Sequence, residues 1–190
     1  LLAQGGFEVP VLPAGTSQAT PPPSTGTLWA FGGRSGIAAN GSTINAGNPP
    51  APEGNQIAYV TGGTGTAISQ SFTATSGRHV ITSKAAQRIQ AGTADTQTVS
   101  VQIDGLEIQR LSPTRGSYAV YQSQSFKLTT GLHTIRLVGQ DATGTQTMLI
   151  DDVAVTPITS LGKLWSDPTA WAGGKVPTSS TLANIPAGIT

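Results

Sequence analysis

The chain has 190 residues, of which 10% are charged, with a formal net charge of +1 and no cysteine. That balance offers neither a basic field for nucleic acid nor a polybasic patch for an anionic membrane surface. It also excludes a disulfide scaffold, thiolate zinc sites and cysteine nucleophiles. No apolar run reaches the roughly 18 residues of a membrane-spanning helix. Polarity is carried by Thr, Ser, Gln and Asn, and the 24 Gly and 13 Pro follow no repeat. Exposed helical faces use Glu and Lys far more heavily, so the composition is that of a secreted or surface β protein.

Gly5–Leu12 (GGFEVPVL) forms a short apolar entry, placed after any targeting segment. Pro21–Pro23 set a loop, and Thr27–Phe31 (TLWAF) is a predicted strand. A long Gly/Asn/Pro loop, Gly32 to Asn55, carries the turn signals Asn40-Gly41 and Pro49-Pro50. From Gln56 onward strands come at regular spacing: QIAYV, TAISQSFTA, SGRHVITSKAAQR, TQTVSVQI, LEIQRL, SYAVYQSQSFKL, LHTIRLVGQ and TMLIDDVAV. Val99, Val101 and Ile103 alternate with polar residues and run into Asp104-Gly105, the clearest hairpin signal in the chain. Eight or nine strands and no helix predict an antiparallel β-sandwich or jelly roll. The Gln-rich alternation predicts sheets with one wet face.

Catalytic signatures are missing. Gly32–Gly36 (GGRSG) does not complete a nucleophile elbow, and the GGTGT stretch lacks the lysine of a phosphate loop. His79 and His133 sit in strand patterns with no sequence-local partner and read as structural. The acidic residues form no recognisable glycosidase pair. The expectation is a non-enzymatic domain.

The last predicted strand, Thr147–Pro157, holds Asp151 and Asp152 in an apolar run. Side chains alternate across a strand, so one of the two must share a face with the flanking hydrophobes. Parity with Val153 and Val155 favours Asp151, whereas Ile150 favours the opposite register. First and last strands of a sandwich often neighbour each other, which would bring Glu8 toward this pair. Carboxylates gathered without a cation repel, and burying one unpaired is costly. Two solutions stand: a hard cation such as Ca²⁺, which takes six to eight oxygens, or loop N–H groups on one Asp with the other solvated.

GGFEVP near the start, SGRHVITSKAAQR, VQIDG, GLHTIRLVG and the final LIDDVAV together resemble the galactose-binding-like jelly-roll domains, a superfamily rich in carbohydrate-binding modules. The likeness spans about residues 5–157. It implies a structural Ca²⁺ joining the terminal strands, with Glu8 and either Asp151 or Asp152 as ligands. Residues 1–157 are accordingly expected to form this domain, with 158–163 a linker. Residues 164–190 (LWSDPTAWAGGKVPTSSTLANIPAGIT) resemble the opening of the eight-glycine domain through Trp165, Trp171, Gly173, Gly174 and Pro177. That resemblance implies a larger extracellular parent in which a second β domain, here only begun, follows the jelly roll.

A sugar site needs an aromatic platform and polar forks. Trp29, Tyr59, Arg88 and Tyr121 are the ligand-contact candidates, with Phe31, Tyr118, Arg34 and Gln87 behind them. The leading expectation is a non-catalytic polysaccharide-binding module of a secreted or cell-surface bacterial protein, with no nucleic-acid partner and no membrane insertion. The alternative is a structural or adhesive spacer that presents a downstream β-helix domain and binds no sugar. A third reading has the domain assist a catalytic downstream neighbour.

Overall fold

The computed structural model describes residues 1–21, 23–90, 92–141 and 144–158. In chain order the strands are β1 (Ser17–Ala19), β2 (Ala30–Gly32), β3 (Ser35–Ala39), β4 (Gln56–Thr61), β5 (Ala67–Ala74), β6 (Gly77–Gln87) and β7 (Ile89–Gln90). They continue with β8 (Thr93–Ala94), β9 (Val99–Ile103), β10 (Leu106–Leu111), β11 (Ala119–Gln122), β12 (Phe126–Leu128), β13 (Gly131–Gly139) and β14 (Thr147–Pro157). The described residues hold no helix beyond one 3₁₀ turn, Pro23–Thr25.

Two antiparallel sheets form the sandwich. One runs β1-β3-β4-β14-β6-β11, with β12 pairing farther along β6; the other runs β10-β9-β13-β5-β2. Alternation builds the core between them. Ile37, Val60, Ile81 and Ile150 come from the first sheet and meet Ile68, Phe72, Val101, Ile135 and Leu137 from the second. At the Asp104-Gly105 turn both residues have positive φ (51° and 86°) and Ile103 pairs with Leu106, the tight hairpin the dipeptide predicts. The expected jelly-roll β-sandwich is the observed fold.

Three features differ from expectation. The Gly32–Asn55 segment is not all loop, because Ser35–Ala39 forms β3, fully buried and paired with β1 and β4. SYAVYQSQSFKL is two strands rather than one. Ser123 interrupts it, its N–H donating to the Ile81 carbonyl while its hydroxyl accepts the Ile81 N–H. Glutamine, read as wet-face decoration, instead supplies buried clamps. Gln56 Nε2 donates to the Phe7 and Pro10 carbonyls at 2.8 and 3.0 Å. Gln70 exchanges two hydrogen bonds with the Ala3 backbone, at 2.9 and 3.0 Å. In a chain without disulfides, these amides tie irregular segments to the sheets by satisfying backbone groups that would otherwise be stranded.

The Asp pair answers the parity question through a β-bulge. Asp151 pairs with Lys84 and Ala154 with Thr82, so Asp152 and Val153 together stand opposite Ser83. Asp152 takes φ of 51°, a conformation that Asp tolerates better than most residues. The extra residue resets the alternation. Met148, Ile150, Val153 and Val155 all reach the inter-sheet core, while Leu149 and Asp151 lie on the outer face. Asp151 therefore does not share a face with Val153 and Val155, as regular parity required.

Contacts divide the chain after Ile158. The expected linker 158–163, from residue 159 on, and the stretch 164–190 that resembles the opening of the eight-glycine domain lie outside the described residues.

Candidate functional site

Two hollows hold the chemistry. The first lies beside the opening residues, has a volume of about 390 Å³, and is lined by Gln4, Gly5, Gly6, Glu8, Val9, Glu53, Asp152 and Val153. Its walls come together because residue 5 runs close beside β14. The Val153 N–H donates to the Gly5 carbonyl at 3.0 Å. A Cβ on Gly5 would stand 2.1 Å from the Val153 oxygen, so only glycine permits this approach. Glu8 Oε1 accepts the N–H groups of Asn55 and Gln56 at 2.9 and 2.8 Å.

Behind this hollow, Asp151 is fully buried. Its two oxygens accept the Glu53 N–H at 2.8 Å and the Asp152 N–H at 2.7 Å. Burial pushes its carboxyl up to about 7 against the pull of those two N–H groups, and the nearby carboxylates of Glu53 and Asp152 add to the rise. Asp152 turns outward and pairs with Lys84 Nζ at 3.0 Å. Over the outer face of the first sheet, Ile44 and Ala51 pack with Tyr118 on Ile57, Tyr59 and Leu149. Tyr118 is also pushed above its ordinary range, by burial first and by Asp151 second, and its buried hydroxyl has no hydrogen-bond partner among the described residues.

Hard oxygen donors with no cationic residue in the lining are the chemistry that Ca²⁺ takes. Among the described residues, however, no three acidic or histidine side chains converge closely enough to form a ligand cluster as they stand. Glu53 is the acid that sequence reasoning left out of this group. Its only signal was a place in the Pro52-Glu53-Gly54 turn.

The second site is a groove built where β6 and β10 end and β9 begins. Hollows of about 260 and 150 Å³ share the wall Ser112–Thr114. The larger is bounded by residues 94–98, the smaller by Arg115, Ser117, Ala119 and Tyr121. One side chain fixes both walls. Gln87 is 1% exposed. Its Nε2 donates to the Gln97 and Pro113 carbonyls at 2.7 and 2.8 Å, and its Oε1 accepts the Gln97 N–H at 3.0 Å. Asn48 Nδ2 holds the same loop through the Gly116 carbonyl at 2.7 Å. Asp95, at the groove's edge, is buried and accepts the Thr147 N–H at 2.7 Å.

The four aromatic and cationic candidates scatter. Trp29 is 1% exposed, packs against Phe7 with ring centroids 4.9 Å apart, and donates its Nε1–H to the Gln4 carbonyl at 2.8 Å. It is a core residue with no ring face open to a ligand. Tyr59 is buried beneath Ile44 and Ala51, and that burial raises its phenol. Arg88 Nη2 donates to the Thr43 carbonyl at 2.9 Å, and the side chain lines neither half of the groove. Tyr121, half-buried against the core, is the one that reaches the groove. Arg115 was not singled out in the sequence, because nothing marks a lone arginine in a Pro-Thr-Arg-Gly turn.

The two antiparallel sheets, with a loop-walled groove where strands end, define a jelly-roll β-sandwich domain. Solved structures of that type match it. One is a family 61 carbohydrate-binding module in complex with β-1,4-galactotriose (TM-score 0.55, 14% identity, covering 83% of this chain and 97% of that one). Others are a family 35 module from Clostridium thermocellum (TM-score 0.49, 15% identity, 68% and 92%) and a family 36 module in complex with calcium and xylotriose (TM-score 0.48, 20% identity, 66% and 92%). At these identities what is shared is the fold. No family model matches the chain, and no curated protein matches it.

Proposed function

We propose that residues 1–158 form a non-catalytic glycan-binding module of a secreted or cell-surface protein, with the Tyr121 groove as its ligand site. One observation carries this reading: a shallow groove whose walls are held by the buried Gln87 amide, with an aromatic ring at one end and exposed Ser and Thr hydroxyls along it. A pre-formed rim loses little conformational freedom on binding. A half-exposed tyrosine offers an apolar face to a sugar ring and its hydroxyl to a polar edge. The galactotriose-bound module of the same fold motivates sugar as the ligand class.

Affinity gel electrophoresis on a panel of soluble polysaccharides tests this, with Tyr121→Ala as the control. Retardation by at least one polysaccharide, weakened in Tyr121→Ala, supports the module. No retardation by any favours the spacer reading, which gains from the burial of Trp29 and Tyr59.

Ca²⁺ belongs to the same proposal as a structural ion. Glu8 and Glu53 would hold it together with Asp151 or Asp152, and the bound charge would offset the mutual repulsion of these carboxylates. Calcium is then expected to raise the melting temperature and EDTA to lower it. An unchanged melting temperature would remove the ion from the proposal.

A further inference from the structure

We infer that the groove selects glycans bearing carboxylate groups, with Arg115 as the specificity residue. The inference rests on the glycan-binding reading and deepens it.

Two charged residues line the groove, Asp95 and Arg115. Asp95 is buried, and the Thr147 N–H is hydrogen-bonded to its Oδ2. Arg115 is exposed, and its guanidinium makes no hydrogen bond or ion pair among the described residues. Lys84, Arg110 and His133 each face a carboxylate, and Arg34, Arg78 and Arg88 each donate to backbone or hydroxyl oxygens. Lys127 and Arg136 also have no such partner among the described residues, but neither lines the groove, so Arg115 is the groove's one cation.

The Arg115 backbone is nonetheless fixed. Its carbonyl accepts the Gln87 N–H at 2.9 Å, and its neighbours Pro113 and Gly116 are held by Gln87 and Asn48. A free guanidinium on an anchored backbone, beside a tyrosine in the smaller hollow, is a fork awaiting a planar anion. Guanidinium matches carboxylate in a two-point geometry that an ammonium cannot reproduce. A uronate residue supplies both halves, a ring for Tyr121 and a carboxylate for Arg115. The hollow beside the N-terminal segment has the opposite character, lined by three carboxylates, so an anionic chain has one site to prefer.

The probes are polygalacturonate, its fully methyl-esterified form and neutral β-1,4-galactan, with the 190-residue chain in calcium-containing buffer. The expected result is binding to polygalacturonate about tenfold tighter than to the methyl ester, weakening as salt rises. Arg115→Gln erases that difference, and Arg115→Lys restores it only in part. Melting temperatures of both variants are measured to show that the fold is kept. Equal binding of the acid and ester forms, or an Arg115→Gln variant that still discriminates, overturns the inference. If galactan binds while acid and ester do not differ, the glycan reading survives and the carboxylate selection falls. If none of the three probes binds, the selection falls as well, and the wider polysaccharide panel judges the glycan reading.

Discussion

Replacing Gln87 by leucine, similar in volume but without the amide, isolates what the clamp contributes. The substitution leaves the Gln97 N–H, the Gln97 carbonyl and the Pro113 carbonyl without their partner. Each such group costs about 1–3 kcal/mol if it stays buried and unpaired. The groove is open to water on its outer side, so part of this is recovered by hydration, and the expected loss is about 2–4 kcal/mol. For a domain of this length, each kcal/mol lowers the melting temperature by roughly 2–4 °C, which puts the drop at about 5–15 °C. Urea denaturation and calorimetry give the stability, and hydrogen exchange at the Gln97 amide gives the location. Because the clamp joins the two groove walls, binding in the groove should weaken along with stability. A loss below about 0.5 kcal/mol, or unchanged protection at Gln97, would refute the idea that one glutamine sets the groove's shape.

Trp29→Ala should cost about 3–5 kcal/mol in urea denaturation, the range for emptying a large core site; a cost under about 1 kcal/mol would contradict its place beside Phe7. His133 Nδ1 sits 2.7 Å from Asp104, which holds the imidazole above its usual range while Asp104 is held below its own. The pair's stabilisation is therefore lost as pH rises through the folded His133 value and as pH falls through the folded Asp104 value. Asp104→Asn should flatten both limbs of the melting-temperature profile, and a profile unchanged from wild type would disprove the coupling. Asp151, raised to about 7, has the opposite sign to an ordinary carboxylate: its folded form takes up a proton that the unfolded form releases. In EDTA, stability should thus increase as pH falls through about 7, and Asp151→Asn should remove that slope; a wild-type profile with no such rise would count against the buried carboxylate as described.

Much of the fold could be read in the sequence because period-2 patterns and turn dipeptides are local. Asp104-Gly105 requires two left-handed residues, and these residues tolerate that conformation. β3 was missed because a short run of small buried residues carries no alternation to detect. The groove was missed for a different reason. Its parts come from residues 87, 94–98 and 112–121, which only the strand order brings together. Burial also separated look-alikes: Trp29, placed before a long loop, reads in sequence as a stronger platform than Tyr121, yet Trp29 is in the core and Tyr121 reaches the rim. Glu8 and the Asp pair could be linked in advance, since first and last segments of a sandwich tend to adjoin. Glu53 could not, because its position depends on how a long loop folds back.

The bulge in β14 has a consequence beyond the phase of its side chains. Deleting Asp152 on paper gives a regular strand in which Met148, Ile150, Val153 and Val155 still share one face, so the core does not need it. What the spare residue supplies is a peptide group released from the sheet's own ladder. The Val153 N–H, opposite Ser83 with no rung to fill, reaches sideways to the Gly5 carbonyl. The join between the domain's opening segment and its last strand is in that sense made from surplus chain. Shortening the strand by one residue would leave the sandwich's interior intact and open its seam.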